Sequence, residues 1–226
     1  YLGEDIDGYI ALPRGLRKTL CENLKRADIP FEVDDERQTG RNIHVTFQGQ
    51  LHEIQERAVQ KLLRHDNGIL SAATAFGKTV VCCAMIAERK TNTLILLQSS
   101  ALIEQWEAAL KRFLFIEEEL PTYTTKSGRT RKRKSLIGCL QSEKDTTTGI
   151  IDIAMASSIF GKHDFSERLS SYGMVLVDEC HHAASETMQH VLRKVRAKYV
   201  YGVTATPIRE DGLEKINYML LGPIRF

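Results

Sequence analysis

The sequence predicts an α/β domain with a mainly parallel central sheet, preceded by a small α+β module. From residue 49 onwards, apolar stretches typical of buried strands alternate with stretches whose apolar residues recur at helical spacing. Before residue 49, the elements are short and follow no such alternation. A chain of 226 residues, 42% of them hydrophobic and 27% charged, is long enough to bury a core without disulfide bonds.

The first 48 residues predict a β-α-β-β module. Tyr9-Ile10-Ala11-Leu12 and Phe31-Glu32-Val33 are typical of short strands, and Ile43-His44-Val45-Thr46-Phe47 alternates as a third strand should. Leucines at helical spacing between residues 16 and 27 predict the helix. We expect the boundary at Gly49-Gln50, which gives two domains, residues 1–48 and 49–226.

The larger domain begins with a helix whose predicted buried face carries Leu51, Ile54, Ala58 and Leu62. Buried strands and helices then follow in turn. The predicted strands cover residues 68–73, 93–97, 150–155, 174–177 and 199–203, and the predicted helices cover residues 78–89, 102–113 and 186–196.

Cysteine content and hydropathy indicate the cellular compartment in which the protein is found. The five cysteines form an odd number without a CxxC pair, which is typical of reduced, mostly buried thiols. No apolar run approaches the roughly 18 residues that span a bilayer. These observations predict a cytoplasmic protein without a membrane anchor.

A phosphate site is predicted between the strand at residue 68 and the helix at Lys78. Successive backbone N–H groups at a helix N-terminus surround an anion, a lysine reaches the outer phosphates, and a threonine hydroxyl ligates magnesium. Ala75 stands where such loops usually carry glycine, and its Cβ is expected to narrow the backbone angles and crowd the phosphates. The predicted binding residues are Thr74, Ala75, Phe76, Gly77, Lys78 and Thr79.

Two further motifs follow apolar strands. Asp178 and Glu179 come directly after residues 174–177, at the strand end where open α/β sheets bind ligands. Asp178 suits a magnesium ion, and Glu179 suits the orientation and polarisation of an attacking water. Thr204 and Thr206, after the last strand, are placed to hydrogen-bond back to the acidic pair.

The three motifs together resemble the first motor domain of superfamily 2 helicases of the DEAD/DEAH type, in the XPB-like branch of DNA-dependent ATPases. They are Gly77-Lys78-Thr79, Asp178-Glu179-Cys180-His181 and Thr204-Ala205-Thr206-Pro207, in that order. The resemblance covers residues 49–226. It implies a RecA-like P-loop domain that is the N-terminal half of an ATP-dependent helicase or translocase, with ATP and Mg²⁺ as cofactors.

The resemblance also implies individual roles. Lys78 and Thr79 bind the phosphates and magnesium, and Asp178 and Glu179 carry out hydrolysis. His181, Thr204 and Thr206 couple hydrolysis to movement. Gln55, in the segment Leu51-His52-Glu53-Ile54-Gln55, corresponds to a glutamine that reads adenine, although the arginine and the aromatic residue of that motif are missing here.

The implied partners are nucleic acid, with DNA favoured over RNA, and a second RecA-like domain of the same full-length protein. Small hydroxyl residues at strand ends suit phosphate contacts. The basic stretch at residues 126–134, which we expect to be a flexible loop, suits a backbone clamp. The predicted nucleic-acid-binding residues are Gln98, Ser99, Ser100, Ser157, Ser158, Arg131, Lys132, Arg133 and Lys134.

Two alternatives remain open. The same motor can be the ATPase subunit of a restriction or defence complex that moves DNA without separating strands. A non-motor nucleic-acid-binding module with a degenerate nucleotide site is the other alternative, and Ala75 keeps it open. An arginine finger comes from the second motor domain, so we expect the chain alone to hydrolyse ATP very slowly.

Overall fold

The structure is a computed structural model that describes residues 3–6, 8–125, 127–160, 163–206 and 214–226. No helix within these ranges is long and apolar enough to cross a bilayer. The strands are β1 (Glu4–Ile6), β2 (Tyr9–Ala11), β3 (Val45–Phe47), β4 (Asn67–Ser71), β5 (Thr93–Leu97), β6 (Leu114–Ile116), β7 (Thr122–Thr124), β8 (Thr130–Lys132), β9 (Ile137–Gln141), β10 (Lys144–Asp145), β11 (Ile151–Met155), β12 (Met174–Val177) and β13 (Tyr199–Thr204). The helices are α1 (Arg17–Arg26), α2 (Glu53–Leu63), α3 (Lys78–Arg89), α4 (Ala101–Phe113), α5 (Ala156–Phe160), α6 (His163–Leu169), α7 (Glu186–Lys194) and α8 (Glu214–Leu221).

A central sheet confirms the predicted α/β class. Within the described ranges it has seven strands in the order β10-β9-β11-β5-β12-β13-β4. All neighbours are parallel except β10, which pairs antiparallel with β9. Leu94 and Leu96 of β5 face the core under α5–α8, whereas Ile95 and Leu97 face the core under α2–α4. Helices therefore cover both faces of the sheet, as its continuous apolar strands require.

The carboxyl ends of the parallel strands meet at one edge of the sheet. The strand order places the loop after β4 next to Thr204 at the end of β13, and then Asp178 after β12. Ser99 after β5 and Ser157 after β11 continue the same line. The fold therefore brings the predicted site residues, which are far apart in sequence, to one edge.

Several sequence-based elements need correction. No strand covers residues 31–33 in the described part of the chain, and β9 and β10 were not predicted. On α2, Ile54 is 47% exposed, and Gln55 is buried together with Ala58 and Leu62. The predicted burial of Ala58 and Leu62 is therefore confirmed, whereas Gln55 takes the buried position that was predicted for Ile54.

The amino-terminal region contacts the rest of the chain. β3 pairs antiparallel with β6, and Ile43 and Val45 are buried in the same core as α2–α4. The guanidinium of Arg14 donates to the carbonyls of Val195 and Ala197, at 2.8 and 2.7 Å. The separate identity of residues 1–48 as a module stays a prediction.

The basic stretch forms a β-hairpin, in place of the predicted flexible loop. β7 and β8 pair antiparallel, with Tyr123 opposite Arg131. Gly128 in the turn has φ +78°, a value that favours glycine. Lys126 lies outside the described residues, as does Pro207 of the third motif.

Residues 223–226 lie along the outer side of β4. The N–H of Ile69 donates to the carbonyl of Pro223, and the N–H of Arg225 donates to the carbonyl of Ile69. The N–H of Ser71 donates to the carbonyl of Phe226 at 2.8 Å. This segment therefore continues the backbone hydrogen bonding of the sheet beyond its last strand.

Candidate functional site

The loop between β4 and α3 has the geometry of an anion-binding turn. A 3-10 turn, Thr74–Phe76, leads into Gly77, and α3 begins at Lys78. Gly77 has φ +83°, and a Cβ there would lie 2.6 Å from Gln55 Nε2, so only glycine fits. The N–H groups of Lys78 and Thr79 lie in the first turn of a 12-residue helix, where an intrahelical carbonyl is out of reach.

Lys78 points back over this loop. Its ammonium donates to the carbonyl oxygens of Ala72 and Ala73, at 3.0 and 3.2 Å. The residue is 8% exposed. The positive charge is therefore held at the mouth of the loop, where it adds to the positive end of α3.

Ala75 is accommodated without backbone strain. It is exposed within the 3-10 turn Thr74–Phe76 and is not among the described residues with positive φ. The expected restriction of the backbone angles by its Cβ therefore does not arise.

Gln55 connects α2 to the phosphate loop. Its Oε1 accepts from the N–H of His52 at 2.9 Å, and its Nε2 donates to the carbonyl of Phe76 at 2.7 Å. An amide group has one further lone pair and one further N–H for a ligand. The two hydrogen bonds thus fix the orientation of the Gln55 amide, which keeps one lone pair and one N–H for a ligand.

Asp178 is held by three hydrogen bonds. Its N–H donates to the carbonyl of Leu96, and its Oδ1 accepts from the N–H of Glu179 at 2.9 Å. Its Oδ2 accepts from the indole Nε1 of Trp106 at 2.7 Å. Trp106 is fully buried, and sequence analysis did not identify its contact with Asp178. The available signal was that a buried indole N–H needs an acceptor.

Glu179 has an unusual backbone conformation and a partly buried carboxyl group. It adopts φ 46° and ψ 50°, which is unusual for a residue with a side chain. Burial, followed by the negative charge of Asp178, raises the pKa of its carboxyl group. The charges of Lys78 and His182 act in the opposite direction on this pKa. The phosphate loop therefore lies close enough to the acidic pair for their charges to interact.

His181 joins the acidic motif to the threonine motif. Its Nδ1 lies 2.9 Å from Thr204 Oγ1 and 3.3 Å from Glu179 Oε2. Thr204 Oγ1 also accepts from the N–H of Thr206 at 3.1 Å. His181 therefore connects Glu179 with the end of the threonine strand.

The predicted nucleic-acid-binding residues at the strand ends fall into two groups. Ser99, Ser100 and Ser157 are exposed at the carboxyl edge of the sheet. Gln98 Nε2 donates to Ser185 Oγ at 2.9 Å, and Ser158 Oγ accepts from the N–H of Ser142 at 2.7 Å. Gln98 and Ser158 therefore make contacts within the fold, and the exposed serines are the ones open to a ligand.

The basic residues of the hairpin formed by β7 and β8, the basic hairpin, also fall into two groups. Arg131, Lys132 and Lys134 are exposed. The guanidinium of Arg133 donates to the carbonyl of Asp145 at 3.2 Å and lies 4.3 Å from the centre of the Tyr123 ring. Arg133 thus attaches the hairpin to the edge strand β10, and its three basic neighbours face solvent.

The phosphate loop, the acidic pair and the end of the threonine strand lie along one edge of a parallel sheet. This arrangement is similar to the first motor domain of superfamily 2 helicases of the XPB branch. Residues 48–209 match the protein family described as "Type III restriction enzyme, res subunit". The chain belongs to this family.

Curated relatives are longer than this chain. "Putative helicase 109L" of Invertebrate iridescent virus 3 is 30% identical over 200 residues, covering 87% of this chain and 57% of that protein. "DNA 3'-5' translocase XPB2" of Sulfurisphaera tokodaii is 26% identical over 175 residues, covering 77% of this chain and 35% of that protein. The chain thus spans about half or less of these relatives.

Solved structures support the fold. The crystal structure of the UvsW helicase from Bacteriophage T4 aligns with a TM-score of 0.65 at 16% identity, covering 97% of this chain and 80% of that chain. The Sulfolobus solfataricus SWI2/SNF2 ATPase core in complex with dsDNA aligns with a TM-score of 0.58 at 14% identity, covering 81% and 38%.

Proposed function

We propose that residues 49–226 are the ATP-binding first motor domain of a DNA helicase or translocase, with residues 1–48 as an accessory module. One observation carries the proposal: the phosphate loop, the acidic pair and Thr204 lie on adjacent strand ends, and His181 links the last two. The names of the curated relatives, which include a DNA translocase, support DNA as the nucleic acid.

The residues present fit ATP with magnesium. The ammonium of Lys78 and the first N–H groups of α3 suit the outer phosphates, and Gln55 keeps donor and acceptor positions for adenine. The hydroxyl of Thr79 and the carboxylate of Asp178 are hard oxygen donors of the kind magnesium prefers. The bound ion would neutralise charge that develops on the transferring phosphoryl group.

Glu179 would accept a proton from the attacking water. Its raised pKa and its position beside Asp178 and His181 support this role. His181 would pass a displacement of Glu179 to Thr204 and Thr206. The exposed Ser99, Ser100 and Ser157 would contact the DNA backbone. A second RecA-like domain of the full-length protein would close over this edge and supply the arginine finger.

Free thiols on all five cysteines support a cytoplasmic location.

A second candidate function is movement along DNA without strand separation, as the ATPase subunit of a restriction or defence complex. The description of the matched family favours it. Displacement of a labelled strand by the full-length protein would support the helicase. Displacement of a triplex-forming strand without unwinding of the duplex would support the translocase.

The nucleotide assignment predicts that Lys78→Ala weakens ATP binding. Loss of a charged hydrogen bond costs about 1.5–3 kcal/mol, which lowers the affinity by about tenfold or more. Calorimetric titration of Mg–ATP into both proteins measures this. Lys111→Ala is the matched control, because Lys111 is an exposed lysine on α4 that pairs with Glu107. Equal ATP affinity in the wild type and Lys78→Ala would contradict the assignment.

A further inference from the structure

Beyond the pairing of β5 with β12, two side-chain hydrogen bonds link the chain segment that follows β5 to the segment that follows β12. Trp106 donates to Asp178 Oδ2 at 2.7 Å, and Gln98 donates to Ser185 Oγ at 2.9 Å. Ser185 lies at the start of α7, directly after the 3-10 turn that follows Glu179. Two hydrogen bonds therefore connect the segment that begins at Gln98 with the segment that begins at Asp178.

The bond between Trp106 and Asp178 has the features of a positioning contact. Trp106 is 0% exposed and Asp178 is 8% exposed, so water does not compete strongly for this hydrogen bond. With the N–H of Glu179 on Oδ1 and the indole N–H on Oδ2, both oxygens of the carboxylate are held. Rotation of the carboxylate would break both bonds.

The indole is also the appropriate kind of donor for a carboxylate that binds a cation. A lysine or arginine partner would cancel the negative charge, whereas the indole N–H is neutral and donates only. Each oxygen of the carboxylate keeps a further lone pair. Trp106 thus orients Asp178 without removing the charge that attracts magnesium.

The position of Trp106 on α4 adds a connection to the exposed serines. Ser99 and Ser100 immediately precede α4, and Trp106 is five residues after Ala101, about 8 Å along the helix. A helix transmits a displacement of its N-terminus along its axis as a rigid body. A displacement of the helix start by a ligand at Ser99 and Ser100 would therefore reach the indole N–H that contacts Asp178.

We propose that Trp106 is a positioning residue that orients Asp178 for magnesium and couples the nucleic-acid-facing start of α4 to the nucleotide site. This inference rests on the proposed function and deepens it. A tryptophan that only fills the core would need its ring volume, and its N–H would have no effect on cation binding.

The substitution Trp106→Phe separates these roles, because phenylalanine keeps an aromatic ring and removes the N–H. Because one hydrogen bond to Asp178 is lost, we expect the magnesium concentration for half-maximal binding of a fluorescent ATP analogue to rise about threefold to tenfold. Ile103→Val, a one-methyl reduction in the buried face of the same helix, should leave the magnesium dependence unchanged. A folded Trp106→Phe protein, judged by thermal unfolding, with an unchanged magnesium dependence would overturn the proposal.

Intrinsic fluorescence tests the contact without a substitution at Trp106. The chain has one tryptophan, so its emission reports on this residue alone. Emission should change when magnesium is added to the nucleotide-bound chain, and the response should be lost in Asp178→Asn. Unchanged emission while calorimetry shows Mg–ATP binding would overturn the proposal even if Trp106→Phe does not fold.

Coupling to nucleic acid provides the second readout. In the wild type, Mg–ATP and a single-stranded DNA oligonucleotide should change each other's affinity by the same factor. In Trp106→Phe this factor should move towards one, whereas Ile103→Val should keep it. An unchanged factor in Trp106→Phe would remove the coupling role.

The measurements distinguish a failure of nucleotide binding from a failure of the Trp106 contact alone. A wild-type chain that binds no nucleotide contradicts the proposed function, and the role of Trp106 falls with it. A wild-type chain that binds Mg–ATP, together with a Trp106→Phe variant that shows normal magnesium dependence and coupling, contradicts only the role of Trp106.

Discussion

On α2, the apolar side chain of Ile54 faces solvent and the polar side chain of Gln55 is buried, which is the reverse of what a hydrophobic pattern would give. Ile54 is 47% exposed, whereas Gln55 is 7% exposed. Burial of an amide is tolerated because His52 and Phe76 satisfy one polar atom each. An apolar residue at position 55 would leave the N–H of His52 and the carbonyl of Phe76 without this partner. The departure from helical periodicity therefore marks a contact with the phosphate loop.

Replacement of this residue, Gln55→Ala, should destabilise the domain and reduce the preference for ATP. The cap at the start of α2 is lost, which costs about 1 kcal/mol, and adenine loses a donor and acceptor pair. Thermal unfolding and competition between ATP and GTP measure the two effects. Gln60→Ala, an exposed glutamine on the same helix, should change neither. If Gln55→Ala lowers the melting temperature but keeps the discrimination between ATP and GTP, Gln55 is a structural residue only.

Sequence analysis predicted the positions of single residues in the fold better than their contacts. Asp178 and Thr204 lie at the ends of apolar strands and Lys78 begins the helix after one, so local pattern was enough to locate them. The partnership of Trp106 with Asp178 joins positions 72 residues apart and depends on β12 lying beside β5, which local pattern does not encode. The same applies to Arg133, whose acceptor, the carbonyl of Asp145, lies on an unpredicted strand.

At the scale of elements, the basic hairpin shows why some strands were missed. Its strands are three residues each, and β8 is exposed throughout. No apolar face marks a period of two, and the charged residues are typical of a solvated loop. The segment 31–33 shows the opposite error: its alternation suggests a strand, but in the described residues it has no strand to pair with.

The hairpin geometry sharpens the expected effect on DNA binding. Replacing Arg131, Lys132 and Lys134 by alanine should weaken binding equally for all sequences and flatten the dependence of log affinity on log salt by up to about 2.7 units on duplex DNA. Titrations at several salt concentrations measure the slope. Arg133→Ala should instead loosen the attachment of the hairpin to β10, with at most a small change in slope.

The matched control for this prediction removes three basic residues of α1, Lys18, Lys25 and Arg26, which are also exposed. It makes the same change in net charge outside the residues that match the family. An equal loss of slope in both triple variants would indicate a general charge effect, and the hairpin would have no special role.

At the scale of the whole molecule, the fold class followed from the sequence, but the order of the strands did not. Alternating apolar strands and helices are enough to predict a parallel sheet with helices on both faces. The order of β5, β12, β13 and β4 depends on which side each crossover turns, and several orders fit the same pattern. Local pattern also does not decide whether residues 1–48 form a module separate from the rest of the chain, because β3 in this segment pairs with β6, nearly 70 residues later.

The chain segment along β4 has a consequence for solubility. A strand at the border of a sheet offers unpaired N–H and carbonyl groups to other molecules, which promotes intermolecular β pairing. Residues 223–226 occupy these groups on Ile69 and Ser71, and at the opposite border β10 has only two residues. Arg225→Pro removes the donor to the carbonyl of Ile69 and should increase self-association, whereas Arg225→Ala keeps the backbone N–H and should remain monodisperse. Light scattering during incubation below the melting temperature compares them, and equal scattering would mean that this segment does not protect the sheet.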